Sequence, residues 1–370
     1  MSNGTRPVAI SKSYFPQLDS IRGLSFIAIF LFHAARISEK TFFMADFIRY
    51  LFSNLPLAID VFFVLSSFLL TWLGLMEYKK RGNFSFKNYF RRRALRIWPL
   101  YFFILLLGFT VIPAVAAYFH AKVTLPNAWY YIFFIANFYT PDHVFFLRIL
   151  WTLSVEEQFY LFWGGSLKFF NKNLKAVISI LMLISVSFSV GAILLKASTY
   201  FNTLTYLFDF ACGGSAALFV FNKNKAIQWL QNFTTFQRNL FYLYLVVHFI
   251  LFYFLNHFSA GITNQFMALI SRYIFVIYIA LFIAWQVANN SQSTFLAKNR
   301  FLIFTGKISY GLYCFHGITI TLINLLLLKF KIGNAIMVLI YFVVNYAIAT
   351  ISYFYLETPF LKLKAKWRRV

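Results

Sequence analysis

The sequence predicts an all-α protein, a polytopic membrane helical bundle of about ten transmembrane helices with both termini cytoplasmic. Three observations carry this expectation. The 370 residues are 61% hydrophobic and 12% charged, with a mean hydropathy of +0.70, and no soluble domain needs that much apolar surface. Ten apolar runs are long enough to cross a hydrocarbon layer about 30 Å thick. The 34 Lys and Arg divide unevenly between alternate loops, 25 on the side of the N-terminus and nine on the other, which is the asymmetry of a membrane protein with that side in the cytoplasm.

The spans fall at Ile21–Ile37, Leu55–Met76, Ile97–Phe119, Phe145–Leu167, Ala176–Leu195, Thr203–Phe221, Leu240–Phe258, Phe266–Val287, Ile308–Leu328 and Ala335–Leu356. Ala128–Phe138, flanked by Pro126 and Pro141, is too short to cross. With Trp129, Tyr130 and Tyr131 it suits the headgroup boundary. The first run follows a polar segment and precedes no small-residue cleavage site, so it reads as a retained helix and not a signal peptide. The whole chain, 1–370, reads as one integral-membrane domain with polar cytoplasmic tails at 1–16 and 362–370, and it shows no internal repeat of the kind that builds many transporters.

A net charge of +24 would suggest nucleic acid in a soluble protein. Here the cations sit in short loops, where they set topology and meet anionic headgroups or ligands, and no nucleic-acid partner is expected. Cys212 and Cys314 lie in apolar runs with no C-x-x-C spacing and read as inert buried thiols. No H-E-x-x-H, Cys/His cluster or Walker-type loop is present, so no metal or nucleotide-hydrolysis site is expected.

The chemistry-bearing residues are few and placed where the membrane makes them costly. The first helix reads Q-L-D-S-I-R-G-L-S-F-I-A-I-F-L-F-H, with Asp19 and Arg22 at its mouth and His33 eleven residues beyond Arg22, roughly 16 Å along the axis. A histidine at that depth is a functional candidate unless a neighbouring helix or headgroup satisfies it. Asp60, five residues into the second helix, lies at comparable depth. As a partner it would fix the tautomer of His33 and make the other nitrogen a better base; the alternative is a pairing with Arg36 or Arg49 at the outer surface. Arg91, Arg92, Arg93 and Arg96 precede Trp98 and Pro99, which open the third helix. If that helix starts earlier, Arg93 and Arg96 share a face and suit a phosphate or pyrophosphate; the alternative is a topology anchor on anionic lipid. Glu156 and Glu157 point about 100° apart on the fourth helix, so one meets an arginine or a ligand and the other serves structure. Lys307, His316, Asp209 and Glu357 are weaker signals, Asp209 standing alone and Glu357 beside the basic tail. His120, His143, His248 and His257 read as surface or interfacial.

Taken in order, Q-L-D-S-I-R-G-L-S-F-I-A-I-F-L-F-H, I-D-V-F-F-V-L-S-S-F-L-L-T, F-R-R-R-A-L-R-I-W-P-L-Y, W-T-L-S-V-E-E-Q-F-Y-L, G-K-I-S-Y-G-L-Y-C-F-H and the closing L-E-T-P-F resemble the signatures of the integral-membrane acyltransferase 3 family across essentially the whole chain. The resemblance implies a bacterial inner-membrane O-acyltransferase. It would move an acyl group, usually acetyl, from cytoplasmic acyl-CoA to a hydroxyl of an envelope glycan such as O-antigen, exopolysaccharide or peptidoglycan, with no tightly bound cofactor. His33 falls on the family's essential histidine and Arg93 and Arg96 on its R-x-x-R pair. Asp19, Arg22, Asp60, Glu156 and Glu157 fall on its other charged positions. The expected site is therefore His33, Asp60, Glu156 and Glu157 for chemistry, with Arg93, Arg96, Arg22 and Lys307 on the donor's phosphates. Ser67 stands where the family has glycine, which narrows a helix contact. The chain resembles the stand-alone type, without an extracytoplasmic hydrolase-like domain. The competing readings are a transporter or flippase with a proton relay and a non-catalytic assembly subunit.

Overall fold

Apolar sequence of this length can satisfy its backbone in a bilayer as helix, and helix is what the chain forms. A computed structural model describes residues 14–38, 46–139, 144–258, 260–289, 295–327 and 332–367. Among them ten long helices occupy the ten expected places: α1 (Pro16–Ser38), α2 (Leu57–Arg81), α3 (Phe86–Tyr118), α4 (Trp151–Phe169), α5 (Leu174–Leu194), α6 (Thr203–Phe221), α7 (Thr235–His257), α8 (Gly261–Ala288), α9 (Ser309–Leu326) and α10 (Asn334–Ser352). Eight stretches are long and apolar enough to cross a membrane. The two long helices that fall short, α1 and α4, are those that carry Asp19, Arg22 and His33 and the Glu156–Glu157 pair.

Local sequence sets the boundaries. Gly82 ends α2 in a left-handed conformation (φ 68°) and returns its N–H to the Tyr78 carbonyl at 2.8 Å, as a residue without Cβ does readily. Ser85 then caps α3, its hydroxyl accepting from Asn88 N–H at 3.3 Å. The third helix therefore begins eleven residues ahead of its apolar run. Pro99 lies in its interior, not in a first turn, and Arg91 to Arg96 are helical. Helical structure also continues beyond α10. After α10 comes one π-helical turn, Tyr353–Glu357, and then a further helix, Thr358–Ala365, so Lys362 and Lys364 are helical and the remainder of the expected tail, 368–370, lies outside the described residues, as do 1–13 of the other. Pro141 and His143 are also outside them. The short segment expected at the headgroups forms two brief turns, Ala128–Ile132 and Ala136–Phe138. Trp129 is exposed, but Tyr131 is fully buried and its carbonyl accepts from the Tyr101 hydroxyl at 2.8 Å.

Two apolar clusters hold the bundle. The larger joins α1, α3, α4, α9 and α10 to one face of α2 and α6; the smaller joins the other face of α2 and α6 to α8. The contact between α2 and α6 is close because Gly213 faces the backbone: a Cβ there would stand 2.2 Å from the Val64 carbonyl oxygen and 3.0 Å from the Ser67 Cβ. The serine expected to narrow a helix contact is thus accommodated by a glycine on the partner helix, and its hydroxyl donates to the Phe210 carbonyl at 2.5 Å. A second close crossing sets α1 on the short helix Arg300–Lys307, where a Cβ on Gly306 would fall 1.7 Å from the Asp19 carbonyl oxygen. That crossing brings Lys307 to the mouth of α1.

Candidate active site

Three cavities follow one another through the larger cluster. The first, about 600 Å³, is lined by Arg22, Arg92, Arg93, Arg96, Lys307 and Lys364, with Asp19 and Glu357 as its acidic groups. The second is a neck of about 90 Å³ that shares Arg22, Arg93, Arg96 and Leu69 with the first and adds Ser66, Glu156, Tyr160, Tyr310 and Tyr313. The third, about 790 Å³, holds His33 and shares Ile59 and Tyr313 with the neck. The shared walls set the three cavities in a row from the arginines to the histidine, and the two ends stand about as far apart as eleven helical residues place them, roughly 16 Å.

At the first cavity positive charge outweighs its partners. Arg92 is matched, donating to Glu77 at 3.1 Å and to the Trp367 carbonyl at 2.9 Å. Arg22 meets Asp19 at 3.3 Å. Arg93 is partly buried, with its Nε inaccessible and unpartnered, its guanidinium 5.9 Å from the centre of the Tyr160 ring. Tyr14 lines the same cavity ahead of α1, under the Lys307 ammonium at 5.9 Å. Burial, and after it the Asp19 carboxylate, pushes its hydroxyl above the ordinary tyrosine value, so it stays a neutral donor. Glu357, carried in by the π-helical turn, is 7% exposed with Oε1 unpartnered. Instead of pairing with the basic tail it faces the cavity that Arg96 and Lys364 also line. Surplus guanidinium and ammonium groups around one opening fit a ligand with several phosphates.

In the neck Glu156 accepts from Ser66 at 2.9 Å and from the Tyr160 hydroxyl at 2.8 Å. The adjacent Glu157 turns away, as two neighbouring helical residues must. It is 4% exposed, outside the three cavities, with Oε1 unpartnered.

At the far end the imidazole of His33 meets a second imidazole. His316 Nε2 lies 3.1 Å from His33 Nδ1, and His316 Nδ1 lies 2.5 Å from the Tyr313 carbonyl oxygen; the rings are 29° apart with centres at 5.0 Å. His316 is wholly buried. It, and not Asp60, stands at hydrogen-bond distance from His33. Asp60 belongs to a separate cluster on the other face of α2, where Arg272 of α8 donates to it from Nε at 3.0 Å and Nη2 at 2.6 Å, and to Asp209 at 2.6 Å. Arg272 is thus its cationic partner among the described contacts, the side chain of Arg36 lying outside the described residues, and Asp209 does not stand alone. His248 likewise is buried, between the Tyr244 hydroxyl at 3.3 Å and the Ser271 hydroxyl at 3.2 Å; His120 and His257 are exposed. Two sequence signals point to these partnerships: an arginine inside an apolar run, Arg272, requires buried carboxylates, and His316 sits on the helix opened by G-K-I-S-Y, whose Lys307 is expected beside the arginines.

Comparisons with known proteins agree with this layout. The family model described as an acyltransferase domain matches residues 15–354. A putative O-acetyltransferase of Staphylococcus aureus (strain COL) is 26% identical over 96% of this chain and 59% of its own length. The peptidoglycan O-acetyltransferase OatA of Listeria monocytogenes serovar 1/2a is 25% identical over 96% and 57%, and the O-acetyltransferase OatA of Staphylococcus aureus (strain NCTC 8325) 25% over 95% and 58%. The chain thus spans just under three fifths of the length of these curated relatives. No solved structure matches it. With the six motifs in order along a row of adjoining cavities and a family model covering nearly the whole chain, the protein belongs to the integral-membrane acyltransferase 3 family.

Proposed function

We propose that the protein is a multi-pass O-acyltransferase of the bacterial cytoplasmic membrane, passing an acetyl group from cytoplasmic acyl-CoA to a hydroxyl of a cell-surface glycan. The observation that carries this reading is the row of shared cavities linking Arg22, Arg93 and Arg96 to His33. The donor's phosphates rest on Arg93 and Arg96, with Arg22, Lys307 and Lys364 around them. Its thin thioester arm threads the neck past Glu156 and Tyr160, and the acceptor hydroxyl lies in the His33 cavity. The 25-to-9 distribution of cations supports placing the arginine end, and both termini, in the cytoplasm.

The histidine pair supports a general-base role. A carbonyl oxygen only accepts, so His316 Nδ1, facing the Tyr313 carbonyl, carries the proton. In a neutral His316, Nε2 is then an acceptor, and His33 Nδ1 must donate to it. The remaining His33 nitrogen, Nε2, holds a lone pair that takes the proton of the acceptor hydroxyl as its oxygen attacks the thioester carbonyl. The carbon–sulfur bond breaks, the ester forms, and the thiolate leaves to be protonated from the imidazolium. His316 fills the orienting place that a carboxylate takes in other histidine-based sites.

The test is acyl transfer from radiolabelled acetyl-CoA to a glycan acceptor by the purified full-length chain in lipid nanodiscs. Label appearing as base-labile ester on the acceptor, and lost in His33→Ala, is the expected result. Transfer that persists in His33→Ala rejects the assignment.

A further inference from the structure

Beside the His33 cavity lies a fourth, of about 650 Å³, inside the range of roughly 300–1,000 Å³ typical of ligand sites. The two share Ser53, Pro56 and Tyr200, so they adjoin across a common wall. The new cavity lies over the Asp60–Arg272 pair and is lined also by Ser189, Lys196, Thr199, Tyr206 and Gln265. Ser189 is 3% exposed, and its hydroxyl has no hydrogen-bond partner. A buried hydroxyl is seldom left so, because the unmet bond is expensive. The aromatic side of the wall is fixed: the Tyr206 hydroxyl donates to the Tyr200 carbonyl at 2.6 Å.

The composition of this wall selects its occupant. Acyl tails cannot answer its hydroxyls, amide and charges. A bare anion meets Lys196 but also the carboxylate of Asp60. Sugar hydroxyls both donate and accept, and sugar C–H faces pack on tyrosine rings. We propose that this cavity is a second sugar subsite, holding the ring next to the one whose hydroxyl lies at His33, so that the acceptor is recognised as two linked sugars or more. The inference rests on the transferase reading, with the glycan as acceptor, and deepens it.

The experiment compares an amino-sugar monosaccharide with its β-1,4-linked disaccharide as soluble acceptors, using the full-length protein in nanodiscs and reading both equilibrium binding and acyl transfer. The wild type is expected to bind the disaccharide about tenfold more tightly, the worth of one or two well-made hydrogen bonds. Gln265→Ala and Ser189→Ala should erase that preference, raising KM for the disaccharide about tenfold with kcat unchanged and leaving the monosaccharide untouched. Ala268→Trp, which fills the cavity from its own wall, should do the same without removing a polar group. Equal binding of the two sugars by the wild type overturns the subsite, as does an equal shift of both sugars in the variants. Preferential, Gln265-dependent binding of the disaccharide with no transfer to either sugar upholds the subsite and removes the transferase reading.

Discussion

Arg272 and Arg93 are both guanidiniums carried into an apolar bundle, yet their surroundings differ. Arg272 ties α2, α6 and α8 together through Asp60 and Asp209, adds a bond to the Thr205 carbonyl at 3.3 Å and lies 4.9 Å from the centre of the Tyr206 ring. Arg93, with Arg96 and Arg22 on the same two cavities, has an unpartnered Nε and cations for neighbours. The guanidinium of the first cluster is answered by two carboxylates of the chain itself, although Asp209 Oδ1 is left unpartnered, and it reads as architecture. The guanidinium of the second finds a counter-charge only when something negative arrives. An unanswered guanidinium, not charge alone, separates a site from a brace in this fold.

That contrast can be broken or sharpened by substitution, beginning with the largest effect. His33→Ala should lower acyl transfer by about 10²–10⁴-fold, the span of a lost general base, with thermal unfolding in detergent unchanged; unimpaired transfer would defeat the assignment. Arg272→Ala should act the other way round. Leaving two buried carboxylates uncompensated costs about 3–5 kcal/mol, read as a lowered unfolding midpoint and poor membrane yield, and Arg272→Met with Asp60→Asn and Asp209→Asn should restore much of it. A stable Arg272→Ala protein would erase the distinction drawn above. Arg93→Ala or Arg96→Ala should raise KM for acetyl-CoA about tenfold to a hundredfold, the worth of one charged hydrogen bond of about 1.5–3 kcal/mol, while the unfolding midpoint holds or rises. His316→Ala should cut kcat by about tenfold or more with donor KM intact, since a coupled partner is worth about 1–3 kcal/mol; a change confined to KM would count against its orienting part. Smallest is Ser67→Gly, which removes the bond to the Phe210 carbonyl at about 1 kcal/mol and should leave transfer kinetics untouched.

Much of this was legible in the sequence because the membrane simplifies the code. Apolar run length located all ten long helices, and the rarity of acidic residues made Asp60, Glu156 and Asp209 stand out before any contact was known. The Arg93–Arg96 spacing became a shared helical face as soon as Phe86 began the helix, and both line the route to His33. What the one-dimensional pattern could not supply was partnership between distant helices. Asp60 and His33 share a depth, but depth does not fix azimuth, and α2 turns Asp60 toward α8 while α9 turns His316 toward His33. Sequence sets Glu357 beside the tail that follows it because nothing in Y-F-Y-L-E announces a π turn, and one extra residue in that turn changes the face on which the carboxylate emerges. Lys364 looked like a tail cation for the same reason.

The neck between the two larger spaces has a consequence for the cell that houses the protein. A route open to both faces of an energised membrane would leak protons and sodium and drain the gradient that the cell maintains. Ringed by Arg22, Arg93 and Arg96, the constriction carries the sign that repels a cation, the same electrostatic barrier that keeps protons out of water channels. The residues proposed to welcome a polyphosphate therefore also insulate the bilayer when no substrate is bound.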